Sequence, residues 1–166
     1  VSLPPELQAF TGRLLAVRNS NPSLTSDVAR GISEITERYA YAYTVPATAG
    51  LHYPAMVTGA TRALGMVAKY KRTPNSSLKL GRNFASIAGT TDGIGERLAL
   101  VVDLDIEQAA QVIEGLVGRA HAVNFYELVE LLTFWDTGDL ERDMKTRSHL
   151  VYDFYSRPDN TTKKAS

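Results

Sequence analysis

The chain has 166 residues, with 18 Lys and Arg against 18 Asp and Glu, 44% hydrophobic residues and no cysteine. That length suits one domain, and the composition is that of a folded chain rather than a disordered one. The lack of cysteine excludes disulfides, thiolate nucleophiles and cysteine metal sites while leaving the compartment open; no apolar run approaches the roughly 18 residues that a membrane crossing takes, and the opening residues do not read as a signal peptide.

Leu3, Leu7, Phe10, Leu14 and Val17 recur at helical spacing, with Pro4 and Pro5 at the start, where proline is tolerated. Residues 19–23 (NSNPS) read as a turn. A second helix is expected from Ser26 as N-cap, with Val28, Ile32, Ile35 and Tyr39 on one face. It should fade at Val45-Pro46, because a residue before proline avoids the helical region. After a loop over 47–53, a third helix is expected from Pro54 to near Arg72. Its apolar stripe (Val57, Ala60, Leu64, Val67) is interleaved with Gly59, Ala63, Gly65 and Ala68. Thr73-Pro-Asn-Ser breaks the chain, and Ser76 is placed to cap a fourth helix carrying Leu80, Phe84 and Ile87, again thin at Gly81, Ala85 and Ala88.

Residues 97–105 (RLALVVDLD) suit a buried strand or a helix by periodicity alone. Helix is the expectation, since the neighbours are helical and no partner strand presents itself. Asp105 with Gln108, and Asn124 with Glu127, have the spacing of capping boxes, and Asp139 caps a last helix that stops before Pro158. The reading is all-α: a single compact helical bundle of six or seven helices over residues 1–158, with a polar C-terminal tail over 159–166.

Several motifs invite chemistry and fail on context. Residues 88–95 (AGTTDGIG) resemble the glycine-rich turn of short-chain dehydrogenases, which would imply a dinucleotide pyrophosphate on backbone amides at a helix N-terminus. That turn should follow a first strand near the start of the chain, and no tyrosine here has lysine four residues on, so the resemblance is not carried over. Asp103 and Asp105 suggest a paired-carboxylate site, but such sites close a strand of a parallel sheet, and Asp105 reads better as an N-cap. His52, His121 and His149 are scattered. His149 with Asp153, and Glu127 with Glu130, are spaced as neighbours on helix surfaces, and neither pair completes a metal set. No catalytic, cofactor or metal residue is assigned. In the cluster Tyr39-Ala-Tyr-Ala-Tyr43, Tyr39 and Tyr43 share a helical face and are expected to pack inward, with an interface as the alternative.

Charge is segregated. From Arg38 to Thr91 the chain has seven basic residues and no acid; from Asp92 to Asp143 it has twelve acids and three bases. Lys69, Tyr70, Lys71, Arg72, Lys79 and Arg82 form a basic corner, with Arg62 behind it, suited to phosphates or an acidic partner, and Tyr70 available to stack. Internal pairing between basic and acidic helices is the simplest account. The expectation for function is a non-enzymatic structural or assembly subunit, coat-like or accessory. Its small-residue helix faces and its basic and acidic surfaces would contact copies of itself, partner proteins or a polyanion such as nucleic acid. The alternative is a helical small-molecule or nucleotide-binding domain with the Thr90–Gly95 turn as its anion site.

Overall fold

A computed structural model of the chain describes residues 2–87 and 93–156. Among these residues the helices are α1 (Pro5–Val17), α2 (Pro22–Ala29), α3 (Tyr41–Ala47), α4 (Pro54–Lys69), α5 (Leu80–Ala85), α6 (Ile94–Val101), α7 (Ile106–Arg119), α8 (Phe125–Thr133) and α9 (Leu140–Tyr155). The class is all-α, as the periodicity predicts, with more and shorter helices than six or seven. The expected tail over 159–166 lies outside the described residues.

The extra breaks have local causes. Asn21 rather than Ser26 caps α2, its side chain accepting the Leu24 N–H at 3.2 Å while Pro22 occupies the first turn. The helix then tightens into a 3-10 turn at Arg30–Ile32 and ends at Ser33, whose backbone is extended and whose hydroxyl accepts the Ile35 N–H at 3.2 Å. Such short side-chain bonds compete with the helical ladder. A second 3-10 turn, Glu37–Ala40, leads into α3. The single face expected through Ile32, Ile35 and Tyr39 therefore does not form, and Ile35 is left 79% exposed.

The central element is α4, buried at every residue from Gly59 to Ala68. Its thin side is filled by α8: a Cβ on Gly59 would stand 1.8 Å from the Leu132 carbonyl oxygen. The glycine's cost in a helix, up to about 1 kcal/mol against alanine, is offset by this approach. The thin side of α5 is likewise filled by α9, with a Cβ on Gly81 falling 2.6 Å from the Leu150 carbonyl oxygen. These small-residue faces, expected as contact surfaces between molecules, are thus occupied by helices of the same chain. Burial against a helix backbone leaves them unavailable to a partner.

The helix from Pro54 stops at Lys69, three residues short of the expected end, and the chain turns out to pair Thr73 and Pro74 in parallel with Ala122 and Val123. The Asn75 N–H extends that pairing to the Val123 carbonyl at 3.0 Å. Two residues are too few to leave an alternating pattern in sequence. Ser76 does not cap α5: Asn75 Oδ1 accepts the N–H groups of Ser77 and Leu78, and α5 begins at Leu80 with no side-chain bond from its own N-cap residue, Lys79. The segment 97–105 does continue as helix through Val101, and Asp105 Oδ1 then accepts the Gln108 N–H at 2.9 Å to cap α7. Asn124 and Asp139 cap α8 and α9 in the same way.

Buried arginines tie the helix ends together. Arg18 donates to the carbonyls of Val67, Tyr70 and Arg72, satisfying the end of α4, and lies 4.7 Å over the Phe125 ring. Arg147 donates to the Trp135 carbonyl at 2.7 and 2.9 Å, to Val102 and to Asp136, fastening α9 to the ends of α6 and α8.

Candidate functional site

The expected basic corner is largely taken up by internal bonds. Arg62, 3% exposed, is paired with Glu107 at 2.7 Å and Glu37 at 3.4 Å and donates to the Gly31 carbonyl. Burial alone would lower its pKa; the two carboxylates outweigh that and hold it above its usual value. Lys69 lies 3.3 Å from Glu114 Oε2, and the same oxygen accepts the Tyr70 hydroxyl at 2.7 Å. Burial and Glu114 raise the Tyr70 hydroxyl, opposed by Lys69. Burial works against the Lys69 ammonium, but its bonds to Tyr70 and Glu114 win and raise it.

Arg72 donates to the Gly118 carbonyl, and Arg82 to the carbonyls of Phe154 and Ser156 at the end of α9. Lys71 is exposed and has no hydrogen bond or ion pair among the described residues. Lys69, Tyr70, Lys71 and Arg72 do share one corner at the end of α4. Arg62 lies two turns back in the interior, and Lys79 and Arg82 belong to the α5 side, next to α9. Half of the Thr90–Gly95 turn, residues 90–92, falls outside the described residues; Gly93, at φ 81°, leads into α6.

A second surface has the opposite character. From Tyr39 to Thr61 the chain contains no Asp, Glu, Lys or Arg. Within that stretch α3 buries Thr44 and Ala47 and exposes Tyr41, Ala42, Val45 and Pro46; Tyr41 and Val45 stand one turn apart at 44% and 56% exposure. The turn that follows leaves Ala49, Gly50, His52 and Tyr53 exposed. Tyr43 does pack inward, stacked on Phe10 at 6.5 Å between centroids. Tyr39 does not: it is exposed between the guanidinium groups of Arg30 and Arg38, 4.6 and 4.5 Å from its ring. Sequence spacing placed Tyr39 and Tyr43 on one face only because it assumed one unbroken helix.

The third feature was invisible as a unit in sequence. A cleft of about 360 Å³ runs between α8 and α9 and brings the two separately weighed pairs, Glu127 with Glu130 and His149 with Asp153, onto one set of walls, with Lys79 beside them. Glu127 Oε2 accepts the Leu80 N–H, and Asn124 offers its own N–H to Asn83 at 2.7 Å, so the expected capping box is made in one direction only. Burial raises the Glu127 pKa, against that backbone bond and Lys79; burial also raises Asp153, against Lys79 and His149. Among the described residues no three His, Asp or Glu side chains are grouped to hold a metal ion. Comparison with protein-family models, curated proteins and solved structures gives no match for this chain.

Proposed function

We propose that the chain is a non-enzymatic assembly subunit that associates with copies of itself through the uncharged face of α3 and the turn after it. The observation that supports this reading is the set of exposed residues between Tyr41 and Tyr53, namely Tyr41, Ala42, Val45, Pro46, Ala49, Gly50, His52 and Tyr53, with no Asp, Glu, Lys or Arg among them. Interface centres are depleted of charge and enriched in tyrosine, and exposed apolar patches of this kind mark contact sites. A second copy presents the same uncharged face, and a two-fold contact pairs it with itself. The basic corner offers less, because most of its donors already serve carbonyls and carboxylates of this chain.

Sedimentation equilibrium of the wild-type chain and of a Tyr41→Asp, Val45→Asp double variant tests this. The expected result is a dimer or larger species for wild type, a monomer for the variant, and similar melting temperatures, since both side chains are on the surface. A wild-type monomer at high micromolar concentration contradicts the reading. So does a mass that rises only with short DNA or RNA, which would assign the contact to Lys69, Lys71 and Arg72 instead.

A further inference from the structure

The cleft between α8 and α9 has a layout that neither an assembly surface nor a packing defect accounts for. The two helices are joined by the short turn 134–139, so they run in opposite directions from it, and each presents one stripe to the gap. On α8 the stripe is Glu127, Glu130, Leu131 and Phe134; on α9 it begins at Arg142 and Lys145 and ends at His149 and Asp153. The spacings of three and four residues are those of single helical faces. Charge is sorted along the cleft. Toward the turn end stand Arg142 and Lys145, neither with a side-chain ion pair among the described residues. At the far end Glu127 and Asp153 outnumber Lys79, with His149 alongside, and Glu130 stands one turn along α8 from Glu127, level with Leu131. Between the ends lie Leu131 and Leu150, both buried in the fold yet contributing to the wall.

We propose that this cleft binds a small extended zwitterion. Its ammonium would lie against Glu127 and Asp153, its apolar middle against Leu131 and Leu150, and its carboxylate against Arg142 and Lys145. The span sets the size. Lys145 and Asp153, which would hold the two ends, are eight residues apart on α9, about 12 Å at the helical rise per residue. A tripeptide in extended form covers about the same length, at roughly 3.3–3.6 Å per residue. A cleft of about 360 Å³ is at the small end of ligand sites. Segregation also argues for the zwitterion over a simple ion. A lone anion would leave the carboxylate end unmatched, and a lone cation the guanidinium end. Two sources share this chemistry, short peptides and long ω-amino acids.

Isothermal titration of the whole chain with Ala-Leu-Ala, with its N-acetylated and C-amidated forms, and with 8-aminooctanoate tests the proposal. All four titrations use wild-type protein, so no variant needs to fold. The expected result is saturable binding of the free tripeptide, weakened at least tenfold by either cap. Binding of 8-aminooctanoate in place of the peptide identifies the ω-amino-acid source and supports the same site chemistry. A second arm uses Lys145→Glu, a surface position. It should weaken the free peptide while leaving the C-amidated form unchanged. No binding by either zwitterion, or equal affinity for free and capped peptides, overturns the proposal. None of these outcomes depends on self-association through α3.

Discussion

Arg62 on α4 and Glu107 on α7 meet in a two-pronged pair, Nε to Oε1 at 2.7 Å and Nη2 to Oε2 at 3.1 Å. Seven residues further along each helix, Lys69 meets Glu114. Equal steps in the same direction mean that α4 and α7 run parallel at this contact, with two rungs two turns apart. The basic middle and the acidic later part of the sequence are therefore joined inside one molecule. At the inner rung Arg62 is buried while Glu107 is partly exposed, and at the outer rung the cation Lys69 is itself half exposed, so their energetic weights differ.

Arg62→Ala should cost about 3 kcal/mol, because Gly31 loses its donor and two carboxylates lose their shared cation. Glu107→Gln should cost nearer 1 kcal/mol, since Glu107 is partly solvated and Glu37 stays in place. Lys69→Ala at the outer rung should change stability by less than about 0.5 kcal/mol. Urea unfolding of the three variants checks the order, and equal losses at both rungs would contradict it.

Two glycines make a paired test of the packing around α4. At Gly59 an added methyl would run into the Leu132 backbone, so Gly59→Ala must push α8 away and should lose about 2–3 kcal/mol. At Gly115, exposed on α7 with nothing within 4 Å of a Cβ, the same change should gain about 0.5–1 kcal/mol through helix propensity. Thermal melts with opposite shifts are expected.

Glu127 sets a pH dependence. Burial raises its folded pKa above the unfolded carboxylate value, so the protonated form is favoured in the folded state. Its contribution to stability is fully present below the unfolded pKa and is lost as pH rises through the raised folded one. Glu127→Gln keeps an acceptor for the Leu80 N–H and removes the titration. The variant should gain on wild type as pH climbs from below 4.5, the ordinary carboxylate value, toward neutrality. Melting temperatures across that range check this, and a gain that shrinks with rising pH would contradict it. Asp153, also raised by burial, should add a trend of the same sign in both proteins.

Much of the helical content was legible because it is carried by local signals. The Leu7–Phe10–Leu14 stripe, Pro54 in the first turn of α4, and the caps at Asp105, Asn124 and Asp139 all act within four residues. The misreadings have two causes, one local and one long-range. The break after Ala29 depends on Ser33 satisfying its own neighbour, and the pairing of Thr73-Pro74 with Ala122-Val123 depends on a contact nearly fifty residues away. Gly59, Gly65 and Gly81 announce close approach in sequence, but the spacing does not say whether the approaching helix comes from the same chain. For the same reason Arg62 read as a surface cation, when the carboxylate that holds it is Glu107 on another helix. The cleft was seen as two unrelated pairs because α8 and α9 each show only one stripe.

The most direct test of the assembly account is the mass of the wild-type chain by light scattering, at low salt and in 1 M NaCl. An uncharged contact through α3 is insensitive to screening, so the account predicts an oligomer whose mass is unchanged or higher at high salt. A species that falls to monomer as salt rises would place the contact on charged surfaces, and a monomer in both conditions would remove self-association altogether.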